Sequence, residues 1–125
     1  MKLNNKFYIF LFLAVAETVA IFWYSFLPVV DFVETGFLRL GDLEHLIAYS
    51  VYGLLLQRVS GYFLGRKQSV ILSILIGSVV GGMSEVVQHV LPYRTGDMID
   101  WAVDILGSAI GGTLSAKFKP YSQID

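Results

Sequence analysis

The chain contains no cysteine, which excludes disulfides, thiolate metal ligands and thiol nucleophiles and leaves no mark of a redox compartment. Charge is scarce as well. Only 15% of the 125 residues are Asp, Glu, Lys or Arg, and they nearly cancel to a net charge of −1. That balance supplies no basic patch of the kind that neutralises nucleic-acid phosphates, so no nucleic-acid partner is expected. Proline is limited to Pro28, Pro92 and Pro120, each at the edge of an apolar block. What fills the chain is apolar: 55% of the residues, with a mean hydropathy of +0.65. The apolar residues come in long blocks, not in the alternating patterns of a soluble domain, so the composition is that of a membrane protein.

Four blocks are long enough to cross roughly 30 Å of hydrocarbon, which takes about 20 residues. They cover about 7–27, 43–63, 70–91 and 99–118. The expected fold is all-α, one domain over 1–125, with four transmembrane helices packed as a small bundle. The segment 28–42 is the one long connection, with room for a short interfacial helix. Basic residues beside the spans set orientation. Lys2, Lys6, Arg58, Arg66, Lys67, Lys117 and Lys119 fall on one side, Arg39 and Arg94 on the other. Both termini are therefore expected in the cytoplasm of a bacterial cell, with the chain multi-pass in its plasma membrane. The first block exceeds the 7–15 apolar residues of a signal peptide, and FWYSFLP offers no small-residue cleavage site. It is read as a retained anchor.

The polar residues that do occur share helical faces. Spacings of three and four recur on one side of a helix. On the second span these are Asp42, His45, Tyr49 and Gly53; on the third, Gly77, Gly81, Ser84, Glu85 and Gln88; on the fourth, Asp97, Asp100, Asp104, Gly107 and Gly111. Each face puts polar groups at the outer end and small residues below them, and small residues let helix backbones approach closely in lipid. Packed together, the faces gather Asp42, His45, Tyr49, Glu85, Gln88, Asp97, Asp100 and Asp104 into an outward-opening pocket, with Arg94 at its rim. A purely interfacial role competes with this reading, with Asp97 capping the fourth helix and Arg94 pairing one carboxylate. Against it stands the charge balance: Asp42, Glu85, Asp97, Asp100 and Asp104 face only Arg94 and His45. Crowded carboxylates of that kind repel one another or recruit a cation, and such sites are more often functional than structural.

Other residues take lesser places. His89 lies at the edge of the pocket face. Glu17, mid-span in the first helix, is read as a helix–helix polar contact, because lipid exposure would be costly. Trp23, Tyr24, Tyr93 and Trp101 are read as aromatic anchors near the outer interface.

The ordered set Asp42-x-x-His45-x-x-x-Tyr49, Glu85-x-x-Gln88, Arg94, Asp100 and the Gly107/Gly111 helix, preceded by Ser25-x-x-Pro28, resembles the VanZ-like family of bacterial membrane proteins. The resemblance runs from about residue 25 to 112 and implies a small polytopic protein acting at the cell envelope, in a family associated with low-level teicoplanin resistance. Leu43 stands where a lysine is common in that pattern, and Asp104 where asparagine is typical. Both departures make this pocket more acidic.

Two classes of function follow. In the first, the pocket acts on a lipid or glycolipid head group: Arg94 engages a phosphate or carboxylate, and His45, oriented by Asp42 one turn away, is general base or acid. Glu85 and Asp100 are the complementary acid or a cation site, and a hard divalent ion held by these oxygens would relieve their repulsion. Tyr49, Gln88, Asp97 and Asp104 contribute to ligand binding. In the second class the pocket binds without catalysis. It takes a lipid-linked cell-wall precursor or a lipoglycopeptide and lowers surface accumulation of the drug, or it docks a partner protein. Proton or ion movement through Glu17 ranks behind both, because the cytoplasmic half of the bundle reads as glycine-packed, without a path of polar groups.

Overall fold

A computed structural model describes residues 3–27, 40–91 and 98–118. They form four α-helices and no strand: α1 (Asn5–Phe26), α2 (Leu40–Ser60), α3 (Arg66–Val90) and α4 (Met98–Ala116). The helix ends have local causes. Asn4 caps α1, its Oδ1 accepting from Phe7 N at 3.0 Å, which satisfies one of the unpaired amides of the first turn. At the start of α3, Gln68 Oε1 accepts from Gly65 N. Helices α1 and α3 stop one residue short of a proline, whose ring pushes the preceding residue out of helical ψ. Leu27 sits at ψ 143° and Leu91 at ψ 132°.

The helices alternate in direction. At one end, Ser25 Oγ on α1 meets Ser84 Oγ on α3 at 2.5 Å, and His45 on α2 meets Asp104 on α4. At the other, Tyr62 Oη just beyond α2 donates to Asn4 Oδ1, and its ring packs edge-on against Phe7. The most extensive interface is α2 against α4; α1 rests on α2 and α3. Glycine makes the α2–α4 approach feasible. A Cβ at Gly107 would lie 2.9 Å from the Leu46 carbonyl oxygen and from Tyr49 Cβ, closer than real contacts allow.

The bundle is polar inside and apolar outside. Among the described residues the largest fully buried side chains are Tyr52, Asp104, Ser25, Ser69, Ser73, Ser108 and Ser115. Large apolar residues cover the exterior of every helix: Phe12 and Trp23 on α1, Ile47 and Val51 on α2, Val79 and Val90 on α3, Met98 and Leu106 on α4. Helices α1 and α3 are long and apolar enough to cross a membrane. Lys6, Arg58, Arg66, Lys67 and Lys117 all lie at the end of the bundle opposite His45 and Asp104.

Two expectations change. The half below the glycines is not free of polar groups. Gln57, buried, donates through Nε2 to Ser69 Oγ at 3.0 Å and accepts from Ser115 Oγ at 2.5 Å, tying α2 to α3 and α4. Arg58 adds a bond to the Ser115 carbonyl at 3.1 Å. Serine was legible as a small packing residue; its pairing with one glutamine was not. Trp101, expected as an interfacial anchor, instead donates Nε1–H to the Ser78 carbonyl at 2.9 Å and is half-buried over Gly81 and Gly82. Its indole N–H answers a helix–helix contact, not a headgroup. Removing the glutamine hub leaves the Ser115 hydroxyl without its acceptor, while Ser69 loses one donor and keeps its bond to the Arg66 carbonyl at 2.9 Å. Gln57→Leu is therefore expected to cost about 1–3 kcal/mol, with interhelical hydrogen bonds averaging about 0.6 kcal/mol each in lipid and unsatisfied groups adding to that. Thermal unfolding of the purified variant measures it.

Candidate functional site

The site forms where the C-terminal ends of α1 and α3 meet the N-terminal ends of α2 and α4. His45 sits five residues into α2 and Asp104 six into α4, so the two parallel helices carry them at nearly the same depth. His45 Nδ1 and Asp104 Oδ1 are 2.7 Å apart, with the Asp104 side chain fully buried and His45 16% exposed. The bond fixes one imidazole nitrogen and leaves the edge bearing Nε2 for another partner. Tyr49, one turn along α2, lies parallel to the His45 ring, with centroids 6.2 Å apart and planes within 4°.

Asp100 and Glu85 stand within electrostatic range of His45, and Glu85 and Asp104 within range of Tyr49. Asp42 is buried. It is not, however, the carboxylate bonded to His45. That partner is Asp104, because a helix turn aligns Asp42 with His45 along α2 while α4 brings Asp104 alongside the ring. Arg94 and Asp97 lie outside the described residues. His89 is exposed and does not reach the site, since α3 turns Ser84 and Gln88 inward instead.

Beside the pair lies a groove of about 270 Å³ between α1, α2 and α3. It reaches from Glu17 to Ser25 along α1, with His45, Tyr49, Ser84 and Gln88 opposite. At about 1.5 Å per residue this spans roughly 12 Å of depth. Glu17 is thus part of a cavity wall as well as a polar residue between helices. Glu44 and Tyr24, joined by a Tyr24 Oη to Glu44 Oε2 hydrogen bond of 3.3 Å, also line it. Sequence spacing alone missed both: Glu44 is 100° from the Asp42–His45 face, and Tyr24 reads equally well as an interfacial aromatic. Glu85 points to the other side of α3, where it borders a second, apolar groove with Phe22, Met83 and Trp101.

Among the described residues, buried Asp104 Oδ2 has no hydrogen-bond partner, and the buried Tyr49 hydroxyl has only Ser84 beside it. Ser84, beside Tyr49, is engaged with Ser25. Unsatisfied buried polar atoms are rare in native folds, and strain, a catalytic role or an ordered water accounts for those that occur. Among the described residues, no three of His, Asp and Glu converge as a hard metal ion would require. The chemistry the arrangement offers is a hydrogen-bonded imidazole with a free edge, surrounded by acceptors. Comparison of the chain with protein-family models, with curated proteins and with solved structures finds no match.

Proposed function

We propose that the chain is a four-span membrane protein of the VanZ-like type, with both termini cytoplasmic, whose outward pocket engages the head group of a lipid or glycolipid. The observation that carries this reading is the buried His45–Asp104 pair at the head of an open groove. Burying an ionisable pair costs several kcal/mol in desolvation, and stability alone is poorly served by it. Support for the membrane setting comes from the apolar exterior of all four helices and the small polar interior, the pattern that helix packing in lipid favours. The clustering of Lys6, Arg58, Arg66, Lys67 and Lys117 at the far end of the bundle supports the orientation. The groove volume, at the small end of the range for ligand sites, suits a head group rather than an entire lipoglycopeptide. Lower surface accumulation of a glycopeptide antibiotic would then follow from altered head groups or precursors.

A catalytic version of the same reading is favoured by the geometry of the pair itself. An imidazole held by a buried carboxylate is the arrangement that lets a histidine withdraw a proton from a hydroxyl or water. His45 takes that role, Asp104 orients it, and Asp100 and Glu85 supply the local negative field. The alternative, a non-catalytic scaffold with a structural polar cluster, makes a different prediction.

Four substitutions separate them: His45→Gln, Glu85→Gln, Arg94→Lys and Asp100→Asn, scored for growth under teicoplanin-class antibiotics with membrane abundance quantified for each. The expected result is normal abundance with protection lost, most completely for His45→Gln. Protection that merely tracks abundance across the panel would assign the cluster to structure and overturn the reading.

A further inference from the structure

The polar groups that open into the α1–α2–α3 groove differ from those sealed behind it. Asp104 stands outside the lining, with Oδ2 against Gly81 of α3, and the Tyr49 hydroxyl is closed off beside Ser84. Gln88 is the contrasting case. It is 3% exposed and lines the groove, one helical turn beyond Ser84 on α3. Among the described residues its amide has no hydrogen-bond partner, yet it is not sealed as those two oxygens are. What little of Gln88 stays accessible opens into the groove.

An amide buried this deeply is costly to leave unpaired, and it asks for two things at once. Its N–H groups need an acceptor and its carbonyl needs a donor. The same groove takes in the free edge of His45. Because a carboxylate only accepts, Nδ1 is the donor in the 2.7 Å bond to Asp104, and the neutral ring then presents a lone pair at Nε2. That edge needs a donor as well. A phosphate diester supplies acceptors only. An ammonium supplies donors only or, when quaternary, neither. A hydroxyl supplies both. With two adjacent hydroxyls, one accepts from the Gln88 N–H and donates to Nε2, while its neighbour donates to the Gln88 carbonyl. Glu17 and Glu44 offer acceptors for further hydroxyls, and Ala20, Ile21 and Ala48 form an apolar wall suited to the C–H groups of the carbon skeleton. A volume of about 270 Å³ is at the small end for ligand sites and has room for one glycerol or sugar unit.

We propose that the α1–α2–α3 groove is a vicinal-diol site, in which Gln88 sets specificity by selecting head groups with adjacent hydroxyls over those without. The proposal rests on the head-group reading above and names its ligand class. Selectivity of this kind arises because a ligand lacking the hydroxyls leaves the buried polar groups of the site unpaired.

The test uses the purified full chain in octaethylene glycol monododecyl ether, a detergent with no diol to compete. It is titrated separately with dihexanoyl phosphatidylglycerol, with dihexanoyl phosphatidylmethanol, which carries the same charge and no hydroxyl, with hexyl glucoside, and with free glycerol and free glucose. The thermal midpoint is followed throughout. Phosphatidylglycerol or hexyl glucoside is expected to raise the midpoint saturably and to bind at least about tenfold more tightly than phosphatidylmethanol, the worth of one to two hydrogen bonds. The tighter of the two assigns the source, a glycerol phospholipid or a glycolipid. Because the Gln88 amide is unpaired within the fold, Gln88→Leu is expected to unfold at or above the parent's midpoint without ligand, and to bind the diol ligands no better than phosphatidylmethanol. If phosphatidylmethanol binds the parent as tightly as both diol ligands, the diol selectivity is overturned and the head-group reading stands on the phosphate. If Gln88→Leu keeps the preference, or melts several degrees lower without ligand, Gln88 serves the fold and the proposal falls. If free glycerol or glucose matches its lipid-linked form, the diol site is upheld and the lipid reading falls. If nothing binds, both fall.

Discussion

Gly111→Leu is expected to abolish accumulation of the folded protein. A single Cβ at this position would already collide with the Ser50 carbonyl, 2.6 Å from its carbon and 3.0 Å from Leu54 N. These are backbone atoms of α2, which cannot swing aside as a side chain can. Leucine adds three more carbons at the same place, and the only relief is to part α2 from α4 along the most extensive interface of the bundle. Overpacking of a tight core costs about 1–3 kcal/mol where neighbours can adjust; here they cannot, and separation also breaks the His45–Asp104 bond and the Gln57–Ser115 bond that span the same interface. Gly82 provides the control. A Cβ there would meet only the Trp101 ring, 3.4 Å from Nε1, an ordinary contact, and alanine has the better helix propensity by up to about 1 kcal/mol. Gly82→Ala should match or exceed the parent in thermal midpoint, while Gly111→Leu yields no folded fraction on detergent size-exclusion chromatography. Equal stability of the two variants would contradict the packing described.

The glycine stripes were legible because helical periodicity is a property of the residues alone. Gly77, Gly81, Ser84 and Gln88 on α3, and Asp104, Gly107 and Gly111 on α4, are all buried as their spacing demands. Partner choice was not legible, for a reason that can be measured. With α2 expected to begin near residue 43 and α4 near 99, His45 and Asp104 fall at different depths, two and five residues in. The structure starts α2 at Leu40 and α4 at Met98, which moves His45 about 4.5 Å deeper at 1.5 Å per residue and sets it level with Asp104. Asp42 was the apparent partner because it stands one turn from His45 on the same helix, whereas the α2–α4 register that brings Asp104 alongside the ring is not carried by periodicity.

The seat of α1 was equally hidden. Its surface is apolar nearly all round, and the residues it buries, Phe7, Ala14 and Ser25, form no stripe that stands out from the rest. Only once α1 is placed against α2 and α3 do Glu17, Tyr24 and Ser25 become one wall of a groove. The carboxylates on the α2 and α4 faces could be read from spacing; the cavity they border depends on a helix whose sequence carries almost no orientation signal.

The second large effect concerns the buried carboxylate. Asp104→Asn is expected to leave the bundle as stable as the parent or more so, by about 1 kcal/mol, while losing most of the protection that His45→Gln loses in the growth assay. Both halves follow from the geometry. Asparagine keeps the shape of the side chain and an oxygen that can stay in the 2.7 Å bond to His45 Nδ1, and a neutral imidazole beside an amide leaves no unpaired charge. The usual penalty for breaking a buried ion pair, about 3–5 kcal/mol, arises because the surviving charge is stranded; a histidine is spared it, where an arginine would not be. What the substitution removes is the fully buried negative charge behind His45, which in the proposed site stabilises the imidazole when it takes up a proton. Stability and protection therefore move in opposite directions, as they do where a fold carries strain for the sake of a site. A fall in thermal midpoint of several degrees with protection unchanged would make Asp104 a structural residue and His45 merely its hydrogen-bond partner.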